Sequence, residues 1–318
     1  MRLTLAIALI LLSTLGSAGA EERSSTDPSD TVWNALKIFE GDVNTVTGDF
    51  DCQGMSIGVA QWNVGKSFPS VKQIVQANSV ERVAALMPTH GRRLWEVLRL
   101  GKNETLAYVR FLQVMRSSVT ILTLSSCDAN TRQARWTADG KLFVKELSLL
   151  LSTPESIAAQ WSLRRGIFME GSKNAQLWAK AVRGEGAVAT LREIAYFVDM
   201  QNFNGGGLQK FALLYSPLAA DARSKLATDA LNYLANSNEP FLLHRQAAKK
   251  NAQSLNPSIL DDSSRDLFCL SYLVALKLNA DHARQFRLTT INRRSAILFG
   301  EAYYSDRDPR PTRVALNP

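Results

Sequence analysis

From Ser67 to Phe299 the apolar residues recur at spacings of three and four. That is the period of a helix with one buried face, and it makes the chain mainly α. The spacing predicts helices over Ser67–Asn78, Val80–Leu86 and Leu94–Leu98, and a long one from Thr105 to about Ser125. The Thr and Val content of Ser118–Ser126 reads equally well as strand. Thr153-Pro154-Glu155 combines a capping residue, a first-turn proline and an acid at the positive helix end, so a helix starts there and reaches Met169. Further helices are expected over Leu177–Val182, Val188–Met200, Ser224–Ala235, Phe241–Lys249, Asp262–Leu278 and Arg284–Phe299. Internal repeats and heptads are absent from the pattern.

The first twenty residues are of another kind. Met1-Arg2 is positive, Leu3–Leu12 is apolar, and Ser13–Ala20 is small, ending Ala18-Gly19-Ala20. This is the pattern of a secretory signal cut after Ala20, and its apolar run is shorter than a bilayer needs. The expected location is secreted or periplasmic, with no membrane span after cleavage. The organisation expected is a signal peptide over 1–20, a disordered linker over 21–30, one domain over 31–304, and an extended, solvated tail over 305–318.

The formal charge of +8 favours an anionic partner, and export makes nucleic acid an unsuitable one. Three Cys and three His cannot build paired zinc-ligand sets, and His90, His244 and His282 lack ligand spacing, so neither metal nor cofactor is expected. In an oxidising compartment two cysteines can pair. Cys52 with Cys127 is preferred, because Leu267-Phe268-Cys269-Leu270 reads as buried helix. Gly65-Lys66-Ser67 imitates the end of a phosphate-binding loop, but Ala60 stands where that loop needs glycine.

The chemistry concentrates between Thr31 and Asn63. Asp30 is read as the cap of a helix to Glu40 whose Val32, Leu36 and Phe39 share a face, and Gly41 ends it. Val43–Thr47 alternates as a strand, Gly48-Asp49 turns, and Phe50-Asp51 returns, which makes a small β-hairpin near the N-terminus. Ser56–Trp62 either completes a small sheet or opens another helix. A carboxylate at a helix end thereby faces others on a hairpin. Glycoside cleavage uses such a pair: one carboxylic acid protonates the leaving oxygen, and the other activates water or steadies the sugar cation. Phe39 and Trp62 would help raise the acid's pKa.

A helix-terminal Glu followed by a hairpin and Gly-x-Ser-Ile-Gly resembles the lysozyme-like superfamily of glycoside hydrolases. Asp51-Cys52-Gln53-Gly54-Met55-Ser56-Ile57-Gly58 is similar to the D-x-x-G-x-[ST]-x-G of chitosanases. Glu40-Gly41, Asp49 and Ser56-Ile57-Gly58 resemble phage-type lysozymes, with Ser56 one place later than their Thr. Gly58-Val59-Ala60-Gln61 matches the Gly-x-x-Gln of lytic transglycosylases. The likeness is confined to Glu40–Gln61, and the gap from Glu40 to Asp51 is shorter than chitosanases use. Phe197–Asn202 ahead of Gly205-Gly206-Gly207, and a basic helix near Arg293-Arg294, are compatible with a chitosanase-like second lobe.

The resemblance implies a two-lobed helical fold with Glu40 as general acid. It gives Asp51 as general base, or Asp49 in the phage-type reading, with Ser56 holding the water. Gln61, Trp62 and Asn63 would line the sugar cleft, and Asp199, Gln201 or Asn204 would touch substrate from the other lobe. Each residue also has a structural reading. Asp49 suits a turn, Asp51 can brace the hairpin, and Trp62 fits a core. Glu40 is less easily dismissed, because a negative charge is unfavourable at a helix C-terminus.

Chitosan is cationic, whereas peptidoglycan carries peptide carboxylates, so the basic chain favours peptidoglycan. The expectation is an exported hydrolase cutting the peptidoglycan backbone, with a lytic transglycosylase as a variant. A chitosanase-type hydrolase and a non-catalytic envelope glycan-binding or scaffold module are the alternatives.

Overall fold

The computed structural model describes residues 27–49, 53–114, 135–204, 220–238, 244–278 and 286–316. The proposed signal, Asp51, Cys52, Cys127 and the triple glycine lie outside these ranges. The described chain is mainly α, as its periodicity requires. No described helix is long and apolar enough to cross a membrane.

Helix α1 (Pro28–Leu36) starts earlier than expected, because Asp27 and not Asp30 is the cap. The Asp27 carboxylate accepts from the Ser29 N–H at 2.8 Å, and Pro28 takes the first turn. A 3₁₀ turn (Lys37–Phe39) extends it to Glu40. A three-stranded antiparallel sheet follows in the order β1 (Val46–Thr47), β2 (Ser56–Ile57), β3 (Trp62–Asn63), so Ser56–Asn63 completes the small sheet. Val46 pairs with Ile57, and Ile57 with Trp62.

Helices α2 (Phe68–Gln76), α3 (Val80–Leu86), α4 (Gly91–Leu100) and α5 (Lys102–Phe111) succeed one another. Strand β4 (Gln113–Val114) ends α5 before its expected length and pairs with β5 (Arg135–Trp136). Helix α6 (Ala138–Leu151) is an addition to the expected set. Thr137 caps it by accepting from the Gly140 N–H at 2.9 Å, and Phe143, Leu147, Leu150 and Leu151 form its buried stripe.

Helix α7 (Pro154–Arg183) is continuous where two helices were expected. Gly166 and Gly171 weaken the helical pattern without breaking it. At Gly171 a Cβ would lie 2.7 Å from the Val198 Cα, so glycine lets α8 (Leu191–Asn204) approach closely. Beyond lie α9 (Ala220–Asn236), α10 (Arg245–Ser254), α11 (Asp262–Lys277) and α12 (Phe286–Phe299). Strands β6 (Glu301–Ala302) and β7 (Thr312–Arg313) close the chain. The expected solvated tail is therefore docked. Asp306 accepts from the N–H groups of Gln246 and Ala247 at the start of α10, and Val314 and Leu316 are buried.

The buried apolar residues form two clusters. One joins the small sheet to α2–α6, around Ile57, Trp62, Val71, Leu94 and Phe143. The other joins α1 to α8–α12, around Leu36, Trp178, Phe197, Phe268 and Ile297. Helix α7 serves both: Ile167, near its middle, packs against each. Arg293 and Arg294, expected on a basic helix, are instead fully buried in the second cluster, where α12 is enclosed on every face.

Candidate active site

Glu40 leaves the end of the first helical segment with φ −110° and ψ −121°, a conformation that ends the turn. Its side chain is only 5% exposed. The walls come from both ends of the sequence. Asn202 of α8 donates from Nδ2 to Glu40 Oε1 at 2.9 Å, and Arg293 of α12 donates to the same oxygen. The Arg293 guanidinium lies 4.7 Å from the Phe39 ring centroid and 4.9 Å from that of Phe203. Tyr304 closes edge-on against Phe39 at 5.0 Å.

Asp199 anchors the arrangement. Arg293 donates to its Oδ1 through Nε, and the Nε of Arg294 is 3.5 Å from its Oδ2. Arg294 also donates to Asn204 Oδ1. Two carboxyl groups and two guanidiniums thus share one buried cluster in which each guanidinium lies against a carboxyl oxygen.

Burial raises the Glu40 pKa, the Arg293 charge and the hydrogen bonds from Arg293 and Asn202 oppose the rise, and Asp199 adds to it; the net direction is upward. Burial works against the Arg293 charge, but Asp199 and Glu40 outweigh it and keep the guanidinium protonated. The two Glu40 oxygens differ. Oε1 accepts both hydrogen bonds, whereas none to Oε2 is seen among the described residues. A proton on this carboxyl therefore belongs on Oε2.

Asp49 occupies different surroundings. It is 2% exposed, its Oδ2 accepts from Arg110 Nε at 3.1 Å, and its N–H donates to Gln113 Oε1 at 2.7 Å. Its Oδ1 is buried without a partner. The geometry corrects Asp49 as a rival base: it anchors the sheet to α5 and β4, with no oxygen open to water.

The remaining residues expected at the site divide in the same way. Asp199 is fully buried and holds the arginines, so it cannot touch substrate. Trp62 is 5% exposed and packs in the first cluster, leaving no indole face for a sugar. Ser56 is 1% exposed on β2. Gln61 adopts φ 50° and spends its amide inside the turn: Oε1 accepts from Thr47 Oγ1 at 2.9 Å and Nε2 donates to the Gly58 carbonyl at 2.9 Å. Asn63 Oδ1 accepts from the Lys66 N–H at 2.7 Å, a local turn. Asn204 accepts from Arg294, and Gln201 keeps a buried Oε1 without a partner. Asp51 lies outside the described residues.

The sequence reading did not assign roles to Asn202, Phe203, Arg293 or Tyr304. For Arg293 a signal was present: adjacent arginines among Leu288, Ile291, Ile297 and Leu298 must find carboxylates if the helix is enclosed. Among the described residues, no group of three or more His, Cys, Asp or Glu is arranged to hold a metal ion. Comparison with protein-family models, curated proteins and solved structures returns no match.

Proposed function

We propose that this chain is an exported glycan hydrolase of lysozyme-like, two-lobed architecture that cuts the peptidoglycan backbone, with Glu40 as its general acid. The observation carrying the reading is the asymmetry of Glu40, a carboxyl whose pKa is pushed upward: Asn202 and Arg293 both donate to one oxygen, and the other is left out of these bonds. The two apolar clusters joined by α7 are the two lobes in this reading.

Burial keeps the proton on Glu40 at a pH where an ordinary glutamate has lost it. Oε2 passes that proton to the glycosidic oxygen as the bond to the sugar carbon breaks. The carboxylate left behind is stabilised by Arg293, which Asp199 holds in place. Asp199 also shares the Arg293 charge, so the acid is not drained of its proton before the reaction. Asp51 is the second carboxylate in this reading, activating the water that attacks the sugar.

Mature protein incubated with peptidoglycan sacculi, followed by mass spectrometry of the soluble products, tests the proposal. Reducing muropeptides are expected. Anhydro products would replace hydrolysis by transglycosylation. Products from chitosan alone would move the substrate, and binding of sacculi without any release would establish a glycan-binding module.

A further inference from the structure

Arg164, in the first half of α7, is an anomaly among the buried arginines. It is 6% exposed. Arg223, Arg293 and Arg294, similarly enclosed, each lie against a carboxylate. Arg164 has no ion-pair or hydrogen-bond partner among the described residues, and its Nε is buried without an acceptor. Burial pushes its pKa down to about 10, although Asp30 acts in the opposite direction.

Two indoles lie against it. The Trp33 ring centroid lies 4.4 Å from the guanidinium carbon and the Trp161 centroid 3.9 Å from it. Cation–π contact with both rings keeps the cation in place. It leaves the in-plane N–H groups unspent, and a carboxylate fits that edge, because guanidinium and carboxylate pair in one plane. Trp33 adds another buried donor, its Nε1, also without an acceptor. Trp161 is 45% exposed, so an indole surface remains beside the edge.

The position relates this cluster to the candidate active site. Gln160, one turn earlier on α7, accepts from the Val59 N–H at 3.1 Å and donates to the Val43 carbonyl at 3.0 Å. Gly58 has φ +73°, and a Cβ there would lie 2.2 Å from Gln160 Oε1, so the sheet turn is moulded onto this helix. Arg164 follows Gln160 by four residues, on the same helix face. Trp33 is on the helical segment that ends at Glu40, roughly 10 Å along its axis.

We propose that Arg164, clamped between Trp33 and Trp161, is a subsite for a carboxylate carried next to a sugar ring, with the ring resting on Trp161. The proposal rests on the hydrolase reading and sharpens its substrate class. A muramyl glycan offers such a carboxylate on its lactyl group or at the start of its peptide stem. Chitin and chitosan offer none.

Calorimetric titration of the wild-type mature protein tests it with three probes: N-acetylglucosaminyl-N-acetylmuramic acid, the same disaccharide with its lactyl group as the neutral amide, and the disaccharide carrying an L-alanyl-D-glutamate stem. At least tenfold tighter binding of a carboxylate-bearing probe than of the neutral amide is expected, weakening as salt is added. The tighter of the two charged probes identifies the lactyl or the stem carboxylate as the source. Arg164→Gln should erase the preference, and Trp161→Ala should weaken all three probes together. Equal binding of charged and neutral disaccharides by the wild type would overturn the proposal, whether or not either variant folds. So would a preference that survives in Arg164→Gln. Equal binding of charged and neutral probes by the wild type, with Glu40-dependent release from sacculi intact, would sink the subsite alone. Preference retained without Glu40-dependent release would sink the hydrolase reading alone.

Discussion

Glu40 and Asp49 look alike by the crude measures: each is a nearly buried carboxylate held by an arginine. They differ in what the second oxygen meets. At Glu40 the two donors converge on Oε1 and leave Oε2 out; at Asp49 the oxygen left over, Oδ1, is buried without a partner. They differ also in the arginine. Arg293 is divided between Glu40 and Asp199, whereas Arg110 ties Asp49 to the helix beneath the sheet. Burial with a counter-ion is therefore no mark of a catalytic acid. A carboxyl whose pKa is pushed upward despite its arginine is a better one.

The largest effect should come from Glu40→Gln, which removes the proton donor and little volume. Turnover of sacculi should fall about 10²–10⁴-fold, while pull-down on sacculi stays near wild type. Asp49→Asn should leave turnover of the folded protein within a few-fold, and equal losses in both variants would break the contrast. Next comes Arg293→Gln, which takes the guanidinium from Glu40 and leaves Asp199 with Arg294 alone in the buried cluster. Denaturant unfolding should show a loss of about 3–5 kcal/mol. A smaller loss, about 1–3 kcal/mol, is expected for Asp49→Asn, where the amide keeps the shape but removes the charge that faces Arg110 Nε. The finest effect is on pH. Asn202→Ala removes a hydrogen bond that lowers the Glu40 pKa, so the alkaline limb of the rate profile should move to higher pH. The same raised pKa means that the stabilisation is present below the ordinary glutamate range and is lost as pH climbs through the folded value. Wild type should accordingly lose stability relative to Glu40→Gln over that interval, as thermal melts across the pH range would record.

Much of the helical fold was legible because its signals are local. Thr153-Pro154 marked the start of α7, and Val32, Leu36 and Phe39 marked the face of α1 that leads to Glu40. Helix α6 carried equally good signals, a Thr137 cap and a stripe through Phe143 and Leu147, yet it was passed over between an ambiguous stretch and a strong start. Helix α7 runs on through the stretch between the two expected helices, Met169 to Leu177, where Gly171 is required by the close backbone of Val198. The site was legible only in its local half. Glu40 stands at a helix end in any reading, but the Arg293 that defines its chemistry is 253 residues away. Asp49 looked like a turn residue or a base because Arg110 and Gln113 come into view only when α5 and β4 fold over it.

The most direct test is a pH titration of Glu40 by carbon NMR on protein labelled at the glutamate side-chain carboxyl, with Glu40→Gln identifying the resonance. A midpoint above the ordinary 4.5 is predicted, in keeping with a carboxyl that holds its proton for transfer. A midpoint at or below 4.5 would mean that Arg293 prevails over burial. Glu40 would then be a structural anchor, and the general-acid assignment would be wrong.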